Sequence, residues 1–563
     1  MSDVQESDIV SEQTFYPNKD GKKIVAYVDS RPGDEDSPFI VVSPKYGESK
    51  KNSLSLAYYL ASNGFRVVRF DFTCHFGESD GSMLDFTLGE GVDNVRATLD
   101  FLERTYGCDQ ATLLASSLSS LIAVRAASTD RRVTHLVCLV GVVNLTSTLI
   151  RVYQEDLVGG YIDGRRYGVL DILGHEVNMD RFFEATIREQ FHRLEDVARD
   201  VSQIDAPISW FPASNDTWVR MDDLQAVARS NPQMSLYPIE GAMHEVRENQ
   251  DTAERSLRMI VSVCRARRFA DRVAEDDVRA PNKRVLVKQN RIERDRLKRV
   301  RIFDGTESEF WGQYLGKYRV MEKMNEFQRY LDLVGDLIGP VSEHDILLDA
   351  GCGNGLFGVW VLNELIRRNK AIQERRPVYI GIELTPSGLD EAIDKHMTAR
   401  KIFTNDAQNE ETSIDLLYVC ADLEEFGDSK KNSGKILQFS DDCFNKIVCS
   451  LLLSYLKKPE KLLRHLHRVL QPGGRIVVSS MKPYCDLSAI YRDFIEQRVS
   501  RGEIESAREL LRAAGAIKVK EEQGYYEFFS AEQLTAMLES SGFRRVQCFA
   551  SLGNQATVVA GIK

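Results

Sequence analysis

The sequence predicts an α/β protein with two tandem domains, each built on a mostly parallel sheet, and three observations carry that reading. From Ile24 to about Cys264, short apolar runs (Phe39 to Val42, Arg66 to Phe70, Thr112 to Ala115, His135 to Val140, Ile208 to Phe211) alternate with helical patterns, the rhythm of strands joined by crossover helices. The rhythm restarts at Ile346 to Leu348 and continues through Val378 to Ile382, Leu416 to Cys420, Lys446 to Cys449 and Arg475 to Ser479. The length, 563 residues of which 43% are hydrophobic and 28% charged, exceeds what one core holds.

Charge and cysteine usage narrow the class. With 73 Lys+Arg against 84 Asp+Glu the net charge is -11, which argues against nucleic-acid binding, since phosphate neutralisation needs a basic excess. No run approaches 18 apolar residues and the start, Met1 to Asp8, is acidic and polar, so neither a membrane span nor an export signal is expected. The ten cysteines form no CxxC pair; a reduced, cytoplasmic protein without a metal site follows as the expectation. Between the two series, residues 265–301 carry fourteen Lys and Arg against six Asp and Glu without a sustained apolar face. They read as a charged linker separating a domain over 1–264 from one over 302–563.

In the first domain, Thr112 to Ala123 reads as strand, abrupt turn and helix, the setting in which a serine hydroxyl is lifted above the carboxyl end of a sheet. With Ser117 at the turn, the residues two before and two after are Ala115 and Ser119, small as the turn requires although not the glycines of GxSxG. Asp216 follows the strand-like run Ile208 to Phe211, and His244 follows another near the end of the domain. A serine hydroxyl needs an imidazole to take its proton and a carboxylate to hold that imidazole's tautomer, so Ser117, Asp216 and His244 are the candidate triad. Two backbone N–H groups are the expected oxyanion donors. Leu118, after the nucleophile, supplies one; Pro44 has no N–H, so in the loop Val42 to Gly47 the second falls to Lys45 or Tyr46, with Tyr46 preferred. Residues 146–201 read as a helical cap, with Phe182, Phe183, Phe191 and Leu194 either lining an acyl pocket or packing the insertion onto the body.

Arg69-Phe70-Asp71-Phe72-Thr73-Cys74-His75-Phe76-Gly77-Glu78-Ser79-Asp80-Gly81 is similar to the RxDxxGHGxSxG loop of many α/β-hydrolases. Together with Ala115 to Ser119, Val140 to Leu145, Asn215 to Val219 and His244 with Glu248-Asn249, it makes the first 260 or so residues resemble the bacterial luminescence acyltransferases, which are myristoyl-acyl-carrier-protein thioesterases of α/β-hydrolase fold. The resemblance implies release of a fatty acyl group from an acyl-carrier protein or other acyl thioester through an acyl-serine intermediate.

In the second domain the strand Ile346 to Leu348 is followed by the acid Asp349 and by the alternate glycines Gly351, Gly353 and Gly355 before a helix at Leu356. Such glycines permit positive φ and close approach of a ligand to the backbone. The GxGxG spacing differs from the GxGxxG of dinucleotide folds, and with Asp349 it resembles motif I of class I S-adenosylmethionine-dependent methyltransferases, a Rossmann-like family. Glu383, ending the next strand, stands where a carboxylate accepts both ribose hydroxyls. By the same resemblance Asp422 meets the adenine amino group, and Ser450 opens the segment along the donor. Tyr314 and Tyr318 either pack or fold over the donor as a lid. A Pro472-Gly473-Gly474 turn before the fifth strand, a capping box of Ser530 with Gln533, and a late antiparallel pair at Arg545 to Phe549 and Ala556 to Ile562 complete the pattern. The reading is a bifunctional enzyme that takes S-adenosylmethionine, an acyl thioester and a small methyl acceptor. In the alternative, only the methyltransferase is active and the first domain binds a carrier or substrate.

Overall fold

The structure, a computed structural model, describes residues 9–269, 274–300, 306–367, 376–404, 414–426, 438–485, 488–497 and 500–563. It divides into two compact units, Met1–Ile302 with Ala514–Gly524, and Phe303–Ala513 with Tyr525–Lys563.

Ten strands belong to the first unit: β1 (Val10–Pro17), β2 (Lys23–Ser30), β3 (Phe39–Val42), β4 (Arg66–Phe70), β5 (Ala111–Ser116), β6 (Val133–Leu139), β7 (Val169–Ile172), β8 (His175–Asn178), β9 (Ile208–Phe211) and β10 (Met234–Leu236). Eight form one sheet in the order β1-β2-β4-β3-β5-β6-β9-β10, while β7 and β8 pair as a separate hairpin. Strands β1, β2 and β4 pair antiparallel and the rest pair parallel, the arrangement of an α/β-hydrolase. The central strands are mostly apolar because both faces are covered: Phe39, Val41, Leu113, Leu136 and Trp210 enter one core, and Ile40, Val42, Leu114, Val137 and Phe211 the other. The antiparallel edge strand β1, absent from the sequence reading, carries four polar residues among its eight and exposes Phe15, so no apolar run announces it.

The linker expectation requires correction. The helices Gln250–Phe269 and Lys283–Val300 lie within the first unit; residues 270–273 and 301 fall outside the described residues. Helix Lys283–Val300 buries Glu293 and Leu297, and the Glu293 carboxylate makes a two-point ion pair with the Arg69 guanidinium (2.6 and 2.7 Å), which Asp29 engages from the other side (2.6 and 3.1 Å). A buried charge partner, unlike an apolar face, leaves no periodic trace in a basic helix.

The second unit contributes β11 (Ile346–Ala350), β12 (Val378–Glu383), β13 (Asp415–Cys420), β14 (Phe444–Cys449), β15 (Leu470–Met481), β16 (Arg544–Ser551) and β17 (Ala556–Ile562). Their order is β13-β12-β11-β14-β15-β17-β16, parallel except for β17. Strand order reverses between β11 and β14, the switch point where ligands bind at the carboxyl ends of such sheets. The Pro-Gly-Gly turn is instead an irregularity inside β15: the register jumps from Phe444 opposite Leu470 to Lys446 opposite Arg475, with Gly473 at φ 79°. Ser530 and Gln533 form the expected capping box. Among the described residues no helix is long and apolar enough to cross a membrane.

Candidate functional site

Strand β5 runs directly into the turn at Ser117, whose φ of 54° is a left-handed conformation costing a non-glycine residue roughly 1–2 kcal/mol. The turn is held by the Ser117 N–H donating to the Leu139 carbonyl (3.0 Å) and by the Ser117 carbonyl accepting from the N–H groups of Ser120 (3.0 Å) and Val142 (3.1 Å). Helix Ser119–Thr129 starts two residues on, so the positive end of its dipole begins beside the hydroxyl.

Loops after β9 and β10 bring in the two partners. Ser117 Oγ lies 2.8 Å from His244 Nε2, and His244 Nδ1 lies 2.9 Å from Asp216 Oδ2. A carboxylate only accepts, so Nδ1–H donates to Asp216 and Nε2 is left to accept the Ser117 proton. Burial by itself raises the Asp216 carboxyl, but the His244 ring with its hydrogen bond and the N–H groups of Val219 (3.0 Å) and Trp218 (2.8 Å) outweigh it, and the net shift is downward. The Trp218 indole lies flat on the His244 ring, centroids 4.4 Å apart and planes 13° apart. Sequence reasoning missed this contact, although Trp218 stands two residues after the acid.

Leu118 takes α-helical angles at the start of the helix after the nucleophile. Neither its backbone N–H nor that of Tyr46 has a hydrogen-bond partner among the described residues. The Tyr46 side chain is engaged elsewhere. Its ring packs among His75, Phe86 and His175 and its hydroxyl donates to the Ile172 carbonyl (3.2 Å). In the cap, Phe182, Phe183 and Phe191 are buried in the core shared with the sheet, and Leu194 packs partly buried against it, so these four fasten the insertion to the body.

In the second unit Gly351, Gly353 and Gly355 follow β11 with φ of 82°, 54° and 84°. A Cβ on Gly351 would stand 2.9 Å from Leu452, and one on Gly355 2.8 Å from the Ala392 backbone, so the loop admits no side chains there. Asp349 is buried; its Oδ2 accepts the Tyr379 hydroxyl (2.6 Å) and its Oδ1 has no partner among the described residues. Burial, opposed by the Tyr379 bond and reinforced by Glu383, pushes this carboxyl up to about 7. Glu383 accepts the Gly353 N–H (3.1 Å) and both the N–H and hydroxyl of Thr385 (3.0 Å each), yet burial leaves it raised as well. His396, also missed in the sequence, donates Nε2–H to the Gly355 carbonyl (2.8 Å) and accepts the Tyr418 hydroxyl at Nδ1 (2.6 Å).

The remaining expected residues fall at neighbouring strand ends. Asp422, exposed after β13, accepts the Glu424 N–H (2.8 Å) and so caps a short turn. Ser450 follows β14, and its hydroxyl is hydrogen-bonded to that of Tyr330, which also reaches Ser479 (2.7 Å). Tyr314 packs with Phe310, Trp311 and Tyr318; it is Leu315, between the two tyrosines, that approaches Gly353 and Gly388. The Asp349 Oδ1 without a partner among the described residues, the two buried carboxylates and the glycines at alternate positions of the loop suit a ligand that brings hydroxyl or ammonium donors close to the backbone, as an adenosyl sulfonium amino acid does.

Fold and site together define an enzyme with an α/β-hydrolase domain and a class I methyltransferase domain. The family model described as "Acyl transferase" matches residues 32–266, and that described as "Methyltransferase domain" matches 322–548. The acyl transferase of Photorhabdus luminescens is 31% identical over 212 residues, 37% of this chain and 68% of that protein. That of Vibrio harveyi is 31% identical over 225 residues, 39% and 72% respectively. Among solved structures, Est1E from Butyrivibrio proteoclasticus matches with a TM-score of 0.37 at 17% identity, covering 46% of this chain and 98% of that one. The chain belongs to the acyl transferase family through its first unit and carries a methyltransferase domain in its second.

Proposed function

We propose that the first unit cleaves an acyl thioester carried by an acyl-carrier protein, forming an acyl-Ser117 intermediate, and that the second methylates a small acceptor from S-adenosylmethionine. The two serve fatty-acid or polyketide-like metabolism in the cytoplasm. The observation that carries the reading is the unbroken relay from Ser117 Oγ through His244 to Asp216 at a left-handed elbow. As Oγ attacks the thioester carbonyl carbon, its proton passes to His244 Nε2, and Asp216 steadies the imidazolium. The N–H groups of Leu118 and of Lys45 or Tyr46 receive the charge on the carbonyl oxygen. When the C–S bond breaks, His244 returns the proton to the thiolate. The acyl group then leaves Ser117 for water, an alcohol or an amine, His244 accepting the incoming nucleophile's proton and passing it to Ser117 Oγ as the ester bond breaks.

In the second unit, S-adenosylmethionine supplies an electrophilic methyl group when bound. Glu383 would hold its ribose hydroxyls, Asp349 Oδ1 is free to take a further donor, and the glycine loop lets the ligand lie on the backbone; Asp422 and Ser450 flank it from the next strands. Aligning an acceptor and excluding water is all the chain need add.

Intact-mass spectrometry tests the first half. Wild-type protein should gain one fluorophosphonate or one acyl group on Ser117, whereas Ser117→Ala should gain neither and lose thioester turnover by about 10³-fold or more. Unchanged turnover in the variant would exclude Ser117 as the nucleophile, and an unlabelled Ser117 in a wild type without thioester turnover would leave the carrier-binding alternative.

A further inference from the structure

Pro44 has no N–H, so the second oxyanion donor sits on a loop that works only if its shape is fixed beforehand, because such donors act by preorganisation. The structure anchors that loop from three sides. The Ser119 hydroxyl, two residues after the nucleophile, donates to the Pro44 carbonyl. Gly47, at φ 74°, donates its N–H to His75 Nε2 (3.1 Å), and its carbonyl accepts the Nε2–H of His175 (3.1 Å). Tyr46, one residue earlier, donates its hydroxyl to the Ile172 carbonyl (3.2 Å) and lies edge-on to both imidazoles, centroids 5.8 and 6.2 Å away.

These anchors come from different parts of the fold. His75 follows β4 in the body. Ile172 and His175 face each other as the closing pair of the β7–β8 hairpin, which belongs to the cap. A Cβ on Gly47 would stand 3.0 Å from the His175 ring, so the two chains meet as closely as glycine allows.

We propose that His175 is a positioning residue for acyl transfer: through the Gly47 carbonyl, with Tyr46 and Ile172 as a second strut, the cap hairpin fixes the loop that carries the second oxyanion donor. The proposal rests on the acyl-serine reading above. The two imidazoles act in complementary ways. His75 must offer a lone pair at Nε2 and His175 must offer a proton there, so each occupies a different tautomer around one peptide. Because the loop supports charge that develops only in the transition state, loosening it lowers kcat and leaves KM little changed.

The experiment compares His175→Ala, His175→Gln and Tyr46→Phe with wild type in turnover of an acyl thioester and in the rate of fluorophosphonate labelling of Ser117. His175→Ala should lose about 10- to 100-fold in kcat, with KM within about threefold, less than the full loss of an oxyanion donor. His175→Gln, whose amide N–H reaches about as far as the imidazole Nε2–H, should recover most of that. Tyr46→Phe, which keeps the ring and removes only the second strut, should fall between. A kcat for His175→Ala within about threefold of wild type overturns the proposal, as does a loss that His175→Gln fails to restore, since the packing of the ring on Tyr46 and Phe76, and not its hydrogen bond, would then explain it. Wild-type Ser117 that takes no label overturns the acyl-serine reading and this one with it. Label on wild type together with an unaffected His175→Ala overturns this one alone.

Discussion

At Ser117 a left-handed backbone lifts the hydroxyl off the strand, and the neighbouring side chains are small for that reason. Ala115 is fully buried beneath the turn, and Ser119 uses its hydroxyl on Pro44, so the residue in the usual glycine's place ties the elbow to the oxyanion loop. The order Ser117, Asp216, His244 was legible because each lies in a loop at a strand end, where spacing shows. Trp218 over His244 and His175 under Gly47 were not, because ring stacking and tautomer depend on angles that no spacing records. Asp216 supports a prediction at this scale. Its carboxyl is shifted down, so it titrates at more acid pH than usual and stays ionised while an imidazole gains its proton. Protonation of Asp216 should therefore add no second step to the acid limb of kcat/KM against pH. Asp216→Asn removes the acceptor that keeps the proton on Nδ1, and kcat should fall about 10³- to 10⁴-fold. A two-proton acid limb in the wild type, or a fall below about tenfold in the variant, would contradict this assignment.

Among the elements, the parallel strands were readable from apolar runs and the helix Lys283–Val300 was misread from its charge. Its one buried carboxylate lies 224 positions from the Arg69 it meets, and a pairing across such a distance is invisible to a window of local composition. The Arg69 guanidinium, fully buried between Asp29 and Glu293, shows how two carboxylates share one cation. At Asp29 burial outweighs Arg69 and the carboxyl is raised; at Glu293 Arg69, joined by Gln289, outweighs burial and it is lowered. Glu293→Ala should cost about 3 kcal/mol, the lower end for breaking a buried pair, because Asp29 keeps half of the partnership. The cost should appear as a lower urea midpoint for the first unit. A depressed carboxyl stabilises the fold above its ordinary titration range and loses that contribution as pH falls through its folded value. The gap between Glu293→Ala and wild type should thus narrow below about pH 4. Equal midpoints at neutral pH would mean that the helix docks without this ion pair.

Across the whole molecule the same architectural rule acts twice, once in each unit: parallel strands end at one edge, and the chain turns there with small or polar residues that leave room for a ligand. In the first sheet the edge holds the Ser117 hydroxyl, hydrogen-bonded to His244; in the second it holds the glycine loop between β11 and β14, where strand order reverses. That much was legible, because glycine spacing and a strand-terminal acid are local signals. The internal wiring was not: the Glu383 carboxylate already holds the Gly353 N–H and Thr385, so it braces the loop in addition to the role proposed for it toward the methyl donor. A carboxylate offers about four acceptor sites, and Gly353 with the two donors of Thr385 takes three of them, so seating two ribose hydroxyls would draw on the bonds of the brace. Glu383→Gln removes the charge behind both sets of bonds, and charge-assisted bonds of this kind contribute on the order of 1.5–3 kcal/mol each. Calorimetry with S-adenosylhomocysteine should therefore find the variant weaker by at least about tenfold. Ser117→Ala, whose hydroxyl belongs to the other sheet's chemistry, should bind the same ligand with wild-type affinity. Equal affinity in Glu383→Gln and wild type would remove Glu383 from the donor site. A loss of affinity in Ser117→Ala would show that the two sites do not operate independently.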